Sequence, residues 1–344
     1  MKKKALKVTL ITIGIILGVI LLLLGGIKVG EKLVFNSFYK NATKEFKMPG
    51  LGSNLVQQGI VYIEEEDVYL VTGYMSDDTA SMVYVVSKSG EVINKVALKN
   101  SDGSDYLGHT GGIEYYENNV YITEGTKEKG YDGGLDVFPL DAILTKTEAT
   151  KIGRVTTFNN PSCCLIYKDY MLVGEYYKEE AYETLDSHRI ETPAGDLNTS
   201  LICVFRLESG NDNFGIGKEP IAAITTTGAV QGIETIGDEQ IVLSTSWGLS
   251  KSKLYFYDMS KVDTSERAAT LIEGGNTASE EDDIRVEVYH LDSASLVNIL
   301  EAPPMSEEMV YLDGKLFILN ESASNKYIFG KFMSGNYMYA YQVK

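Results

Sequence analysis

Residues 109–124 read HTGGIEYYENNVYITE, and this stretch decides the fold. Two short runs rich in β-branched and aromatic residues flank a Glu-Asn-Asn turn, which is the pattern of a β-hairpin. The second run, from Val120 to Glu124, is the more apolar of the two. The stretch therefore predicts one short strand, a tight turn and a second, better buried strand.

The same hairpin pattern recurs four more times along the chain. The copies that begin at Gln58 and Gln231 contain a glycine followed by isoleucine, as residues 109–124 do. The remaining two copies lack the glycine. A repeat of about 50 residues is the signature of propeller blades, each a four-stranded antiparallel sheet. We therefore predict an all-β fold, a single β-propeller with five blades. The second strands of the five copies begin near Val68, Val120, Met171, Ile241 and Leu316.

Third and fourth strands can also be placed. The wider spacing of the later copies is explained by polar insertions at 178–198 and 261–283, which we expect to be solvated loops with a turn or two of helix. Third strands are predicted at 82–86, 135–138, 201–205, 254–257 and 337–341. Candidate fourth strands are 92–98, 152–156, 221–225 and 286–291.

The fifth unit ends at Lys344, soon after its third strand. We hypothesise that a strand from the N-terminal side, around Phe35–Phe46 or Leu55, completes this blade. Such closure would remove the exposed sheet edges through which molecules can pair with one another. The alternative is a short fifth blade.

The N-terminus predicts a membrane anchor. Four lysines precede an uncharged run of about 20 residues from Val8 to Ile27, which spans roughly 30 Å as a helix. The alternative is a cleaved signal peptide, but the run is longer than the usual apolar core and no A-x-A site follows it. The positive-inside rule places the N-terminus in the cytoplasm and the rest of the chain outside the cell.

The chain therefore divides into three parts: a basic tip and anchor at 1–29, an extracytoplasmic stalk at 30–55 and the propeller at 56–344. All 48 acidic residues lie beyond the apolar run, so that part is more acidic than the net charge of −17. A domain this acidic should repel nucleic acid and attract cations or basic partners. The alternative is that the charge serves only to keep the domain soluble.

The repeat resembles five-bladed β-propellers. More narrowly, it is similar to secreted or membrane-anchored bacterial propellers with a Q-G-I opening, an H-x-G-G-I second blade and a G-E-Y element in the third. The matching residues are Gln58–Ile60, His109–Ile113 and Gly174–Tyr176. The resemblance implies the fold and brings no activity with it.

Two levels of polar residues are candidates for a site at the rim of the central channel. One level lies just before the first strands, where glycines allow close approach of a backbone or a ligand. The alternative is that glycine is needed where five strands crowd an axis and that the polar groups hydrate a channel. This level holds Gln58, Gly111, Ser162, Gln231 and Glu307, with His109 and Gly112 beside them.

The second level follows the second strands. Its carboxylates are catalytic candidates, namely Glu124, Glu175 and Glu321, together with His109 as a base. Converging oxygens could instead hold Ca²⁺, and aromatics beside carboxylates suit a sugar or a cation. A third interpretation is that each glutamate hydrogen-bonds a loop of its own blade. The aromatic candidates are Tyr74, Tyr176 and Trp247.

Histidine and cysteine contribute little to a predicted site. Only three histidines occur, His188 in a polar insertion and His290 in a strand, so a zinc site built from several of them is not expected. Cys163 and Cys164 could form a vicinal disulfide, but two buried thiols are the commoner outcome.

No set of catalytic nucleophile, base and orienting group can be named from the sequence. We therefore expect a non-catalytic recognition module for a small molecule, glycan or protein, with an envelope hydrolase or lyase as the alternative.

Overall fold

The computed structural model describes residues 2–125, 133–272, 283–333 and 335–343. A five-bladed β-propeller follows one long N-terminal helix, Lys2–Val34. Both the fold class and the blade number predicted from the repeat are confirmed. Short helices lie at Asn36–Asn41 and Leu140–Thr145, and single 3₁₀ turns at Asp186–His188, Met259–Lys261 and Gly330–Phe332.

Each blade is a sheet whose first strand lies nearest the axis. From the axis outward, blade 1 consists of Leu55–Ile63, Val68–Met75, Met82–Ser87 and Val92–Lys99, and blade 2 consists of Ile113–Tyr116, Asn119–Glu124, Gly134–Pro139 and Gly153–Thr156. Blade 3 consists of Pro161–Tyr167, Tyr170–Glu175, Ser200–Arg206 and Ala222–Thr226, and blade 4 consists of Val230–Ile236, Gln240–Thr245, Ser252–Asp258 and Leu296–Ala302. Blade 5 consists of Ser306–Leu312, Lys315–Asn320, Tyr337–Gln342 and, as its outermost strand, Ala42–Lys47. Two edges gain further strands: Glu148–Thr150 joins blade 1, and Asp283–His290 with Asp263–Ile272 joins blade 3.

The hairpins repeat with close regularity. The turn between the first and second strands always carries a residue with positive φ, between 52° and 57°. This conformation matches the right-handed twist of the two strands that the turn connects. The turn residues are Asp67, Glu117, Lys168, Gly237 and Asp313.

Apolar contacts between neighbouring blades form the core. Second strands such as Gln240–Thr245 are buried along most of their length, because blades cover both of their faces. The outer strand Val92–Lys99 instead alternates between half-buried and exposed positions, as expected when one face meets solvent. The propeller is therefore held together by the packing of sheet on sheet around the ring.

The ring is closed by the N-terminal segment. Ala42–Lys47 pairs antiparallel with Tyr337–Gln342, so the hypothesis of an N-terminal closing strand is confirmed. Phe46 of this strand is buried against Tyr69 of blade 1, with ring centroids 5.6 Å apart. Phe38, just before it, is buried and stacks on Tyr341. The outermost strand of the propeller thus comes from the segment that the sequence assigned to a stalk.

Two predictions about the chain after blade 3 were wrong. The segment 286–291 was predicted to be the outer strand of blade 4, but Asp283–His290 pairs with blade 3 and Leu296–Ala302 completes blade 4. The insertion at 261–283 was expected to be a loop, yet Asp263–Ile272 is a strand, while residues 273–282 lie outside the described part. The insertion at 178–198 is mostly exposed or half-buried and contains one helical turn, Asp186–His188, as expected, although His188 itself is fully buried.

The N-terminal helix is apolar on all sides. One segment of it, Thr9–Val34, is long and apolar enough to cross a membrane, a property that signal sequences share. Its large side chains, among them Leu21 and Leu22, are exposed. A helix that is hydrophobic all round is one that needs an apolar environment.

Candidate functional site

A cavity of about 360 Å³ opens at one end of the central channel. It is lined by residues that precede first strands and residues that follow second strands, and all five blades contribute. Because adjacent antiparallel strands reverse direction, these two sets of connections lie at the same end of the ring. We call this end the pocket face. The size is that of a site for a small ligand.

The glycines beside the cavity serve the close approach of backbones. A Cβ on Gly59 would lie 2.3 Å from the carbonyl oxygen of Gly111. One on Gly112 would lie 2.7 Å from Cα of Cys163, and one on Gly232 would lie 2.7 Å from Cα of Glu308. Neighbouring first strands therefore touch at the axis, where only glycine fits.

Backbone strain concentrates just before the first strands. Thr110, Ala229 and Met305 adopt the left-handed conformation, with φ of 54°, 61° and 63°. Each costs about 1–2 kcal/mol relative to ordinary backbone, because its Cβ crowds the following carbonyl. Such strain persists only where the surroundings enforce it, and it clusters at ligand sites.

Two buried carboxylates reach the cavity. Glu321 accepts hydrogen bonds from the side-chain amide of Gln58 at 2.8 Å and from the Tyr327 hydroxyl at 3.2 Å. Burial raises the pKa of Glu321 to about 7. Burial, and repulsion from Glu321, also raise the pKa of Glu307 well above its usual value. Near neutral pH the pair therefore holds at least one proton, so it can both donate and accept hydrogen bonds.

Aromatic rings form the walls of the cavity. The Tyr74 ring stacks on His109 with centroids 4.6 Å apart, and Lys326 Nζ lies 4.6 Å from the Tyr74 centroid. On the opposite side Tyr182 stands edge-on to Tyr176 and to Trp247, at 5.4 and 6.3 Å. The walls are thus largely aromatic, and the carboxyl groups, Lys326 and His109 provide the polar groups.

Three further glutamates lie along the axis beyond the cavity, on the first strands. Glu308 accepts hydrogen bonds from the backbone N–H groups of Ile60 at 2.9 Å and Ile113 at 3.1 Å, in blades 1 and 2. Glu114 accepts one from Ile166 of blade 3, and Glu234 one from Tyr311 of blade 5. These carboxylates connect blades across the hub, so they belong to the scaffold.

Most residues predicted for the rim line the cavity. Gly112 of that set does not, because it packs against Cys163 and Cys164. The predicted residues that line it are Gln58, Tyr74, His109, Gly111, Ser162, Tyr176, Gln231, Trp247, Glu307 and Glu321.

Two of the catalytic candidates are engaged elsewhere. Glu124 accepts hydrogen bonds from the Tyr106 hydroxyl at 3.2 Å and from the Thr110 backbone N–H at 3.3 Å. Glu175 is buried within blade 3, where it pairs with His188 Nδ1 at 2.9 Å and accepts the Leu201 N–H. Neither lines the cavity. Both match the alternative in which a glutamate holds a loop of its own blade.

Sequence reasoning missed several cavity residues. Lys326 and Tyr327 come from the connection between the second and third strands of blade 5, and Tyr182 from the insertion in blade 3. The hairpin repeat could not find them, because connections outside the repeat have no equivalent positions in other blades. The signal available was the density of aromatic residues in these two connections.

Metal and thiol chemistry have little basis at this site. Across the described ranges, no three His, Cys, Asp or Glu side chains converge to hold a metal ion. Calcium at the cavity would therefore depend on Glu307 and Glu321 together with amide or backbone oxygens. Cys163, Cys164 and Cys203 are buried free thiols, and burial raises the pKa of each.

The chain matches no protein-family model and no curated protein. Solved structures resemble it as folds. It is similar to the PQQ-bound aldose sugar dehydrogenase of Streptomyces coelicolor, with 10% identity, a TM-score of 0.44 and coverage of 87% of this chain and 97% of that one. It is similar to the β-propeller domain of Cps50 (Swd1) of Myceliophteria thermophila, with 8% identity, a TM-score of 0.37 and coverage of 85% and 100%.

A third similar structure is an exo-β-1,3-galactanase from Phanerochaete chrysosporium, with 10% identity, a TM-score of 0.45 and coverage of 88% of this chain and 64% of that one. These similarities do not extend beyond the fold. The chain is thus a five-bladed β-propeller with an apolar N-terminal helix, and its function has to be inferred from the cavity.

Proposed function

We propose that this protein is a membrane-anchored recognition module, which binds a small ligand in the cavity at the mouth of its central channel. The N-terminal helix anchors it in the cell membrane as a single span, with the N-terminus in the cytoplasm and the propeller outside. The ligand class is a sugar, or a similar small molecule with a flat apolar face and hydroxyl or amino groups.

One observation carries this proposal: five blades bring aromatic walls and two buried carboxyl groups with raised pKa values into a single open cavity. Aromatic faces such as Tyr74 and Trp247 can stack on the apolar face of a sugar ring. Glu307, Glu321 and Gln58 supply the few convergent polar groups that fix orientation in ligand sites. A hydrogen bond to a charged group contributes about 1.5–3 kcal/mol.

The test is calorimetric titration of the full chain in detergent with N-acetylglucosamine oligomers and with choline as probes. We expect saturable binding of at least one probe. Tyr74→Ala should weaken it, whereas the control Tyr170→Ala should not, because Tyr170 lies at the start of the second strand of blade 3 and does not line the cavity. Absence of binding by every probe, or equal effects of the two variants, would contradict the proposal.

A second candidate, an envelope hydrolase or lyase, is favoured by the Glu307–Glu321 pair. Two buried carboxyl groups with raised pKa values can act as general acid and general base. On this alternative, Glu321→Gln abolishes turnover of a glycan but leaves its binding intact. On the recognition proposal, no turnover is detected with the unaltered chain.

A further inference from the structure

The connection between the second and third strands of blade 5 joins the cavity to the N-terminal helix. We call the connection, residues 321–336, the blade 5 loop. Lys326 and Tyr327 in its first half line the cavity. Met333 in its second half accepts a hydrogen bond from Lys28 Nζ of the helix, through its carbonyl oxygen at 3.3 Å. The cavity wall and the end of the apolar run are therefore parts of one local structure.

The path of the chain shows where the apolar run leaves the ring. Lys28 lies at the blade 5 loop, on the pocket face. From there the chain runs along blade 5, where Phe38 packs on Tyr339 and Tyr341 of the third strand and is buried against the outer strand of blade 4. It then returns as the closing strand, with Ala42 opposite Tyr341. Residues before Lys28 consequently extend away from the pocket face.

The tip of the blade 5 loop is apolar and exposed. Ile328 and Phe329 are adjacent, and each is 70% exposed. Together they present two large hydrophobic side chains to solvent, beside the helix that is too apolar for water. Exposed apolar surface of this kind, next to a membrane-spanning segment, marks a surface that meets lipid.

The surface between the helix and blade 5 has the composition of a membrane interface. A second cavity there, of about 220 Å³, is lined by Lys28, Lys32 and Lys44 and by Tyr337 and Tyr339, together with Glu31. Lysine and tyrosine are enriched where a protein passes through lipid head groups, because each combines an apolar body with a polar tip. Although the propeller is acidic as a whole, basic side chains predominate at this point.

We propose that Ile328 and Phe329 insert into the membrane leaflet beside the N-terminal helix, so that the cavity opens at the membrane surface. This proposal rests on the proposed anchoring by that helix. The ligand is then the polar part of a molecule carried on or in that leaflet. Lys326 and Tyr327 lie next to the inserted tip, so the membrane also fixes one wall of the cavity.

The test uses the full chain reconstituted in phosphatidylcholine vesicles. Phe329→Cys is labelled with an environment-sensitive fluorophore, which is selective because Cys163, Cys164 and Cys203 are buried. Ile93→Cys is the matched control, since Ile93 is 60% exposed and lies at the opposite end of blade 1. We expect the label at position 329 to shift its emission to shorter wavelength and to be quenched by a nitroxide lipid, and the label at 93 to do neither.

Two results would overturn the inference in distinguishable ways. If the chain floats with the vesicles but both labels are quenched by aqueous iodide alike, the anchor holds and insertion of the loop is wrong. If the chain does not float with the vesicles after carbonate washing, the anchor itself fails and the inference falls with it. In a second variant, Ile328→Ser with Phe329→Ser, flotation should persist, because the helix alone suffices for it.

Discussion

The imidazole of His109 stacks on the phenol ring of Tyr74, with the centroids 4.6 Å apart and the planes 26° from parallel. Tyr74 ends the second strand of blade 1, and His109 precedes the first strand of blade 2. The contact therefore joins two blades at the mouth of the channel, and it forms one wall of the cavity.

This stack predicts how His109 can be replaced. An aromatic pair contributes about 0.5–1.5 kcal/mol beyond burial, so His109→Ala should lower the unfolding free energy by about this amount. It should also weaken binding of a probe ligand, because it removes part of one wall of the cavity. His109→Phe should retain most of the affinity, because it keeps the ring. If His109→Phe loses as much as His109→Ala, the imidazole acts through its nitrogens and the catalytic alternative gains support.

Glu175 should matter for stability and not for the ligand. Its carboxylate is buried with His188 Nδ1 and the Leu201 N–H, away from the cavity. Removing one partner of a buried hydrogen bond leaves the other unsatisfied, so Glu175→Ala should cost about 1–3 kcal/mol of unfolding free energy for each group left without a partner. Thermal melting measures this cost. Probe affinity of the folded variant should be unchanged, and a selective loss of affinity would show that Glu175 belongs to the site after all.

The buried glutamates along the axis of the ring, among them Glu114 and Glu234, predict that the stability of the fold depends on pH. Burial raises the pKa of Glu114 to about 8, and repulsion from Glu234 adds to it. Ionisation of Glu114 is disfavoured in the folded state. Its contribution to the stability of the fold is therefore fully present below the unfolded pKa near 4.5 and is lost as pH rises toward 8. The unfolding free energy should therefore fall over this range by up to a few kcal/mol.

Glu114→Gln should flatten that pH profile, whatever its effect on absolute stability. Glu234, Glu307 and Glu321 contribute in the same direction, so part of the slope remains. The control is Glu91→Gln on an exposed turn, which should leave the slope unchanged. A slope that is the same in Glu114→Gln and in the unaltered chain would show that Glu114 does not titrate as described.

Ring closure by the N-terminal strand predicts a large effect of Phe46. Its side chain is buried against Tyr69, and truncating a buried phenylalanine costs about 3–5 kcal/mol. Phe46→Ala should lower the melting temperature, whereas Ile93→Ala on an exposed outer strand should change the unfolding free energy by no more than about 0.5 kcal/mol. Equal melting temperatures would mean that the closing strand contributes little.

The hairpin repeat was sufficient to predict the fold, because each blade places its two most apolar strands in the same order. The third strands followed from the same pattern, whereas the closing strand was a separate hypothesis that the pairing of Ala42–Lys47 with Tyr337–Gln342 confirms. Blade 3 broke the pattern: Asp283–His290 pairs in parallel with Ala222–Thr226, and a parallel partner far along the chain leaves no local signal.

The cavity was predictable only where it is built from the repeat. Gln58, Ser162, Gln231 and Glu307 occupy equivalent positions, so aligning the copies brought them together. Glu175 ends its second strand as Asn320 does in blade 5, whereas Glu321 follows one residue later, at the position that Tyr176 holds in blade 3. Tyr176 and Glu321 both line the cavity, while Glu175 pairs with His188 of the blade 3 insertion, a partner that the repeat carries no information about.

Trp247 offers the most direct test of a ligand site at the channel mouth. It is the single tryptophan of the sequence, it lines the cavity and it is 44% exposed. Its fluorescence should change saturably when N-acetylglucosamine oligomers or choline are added to the full chain, and Tyr74→Ala should shift the midpoint to higher concentration. Fluorescence that responds to none of these probes, or that responds identically in Tyr74→Ala, would contradict the proposal that this cavity binds them.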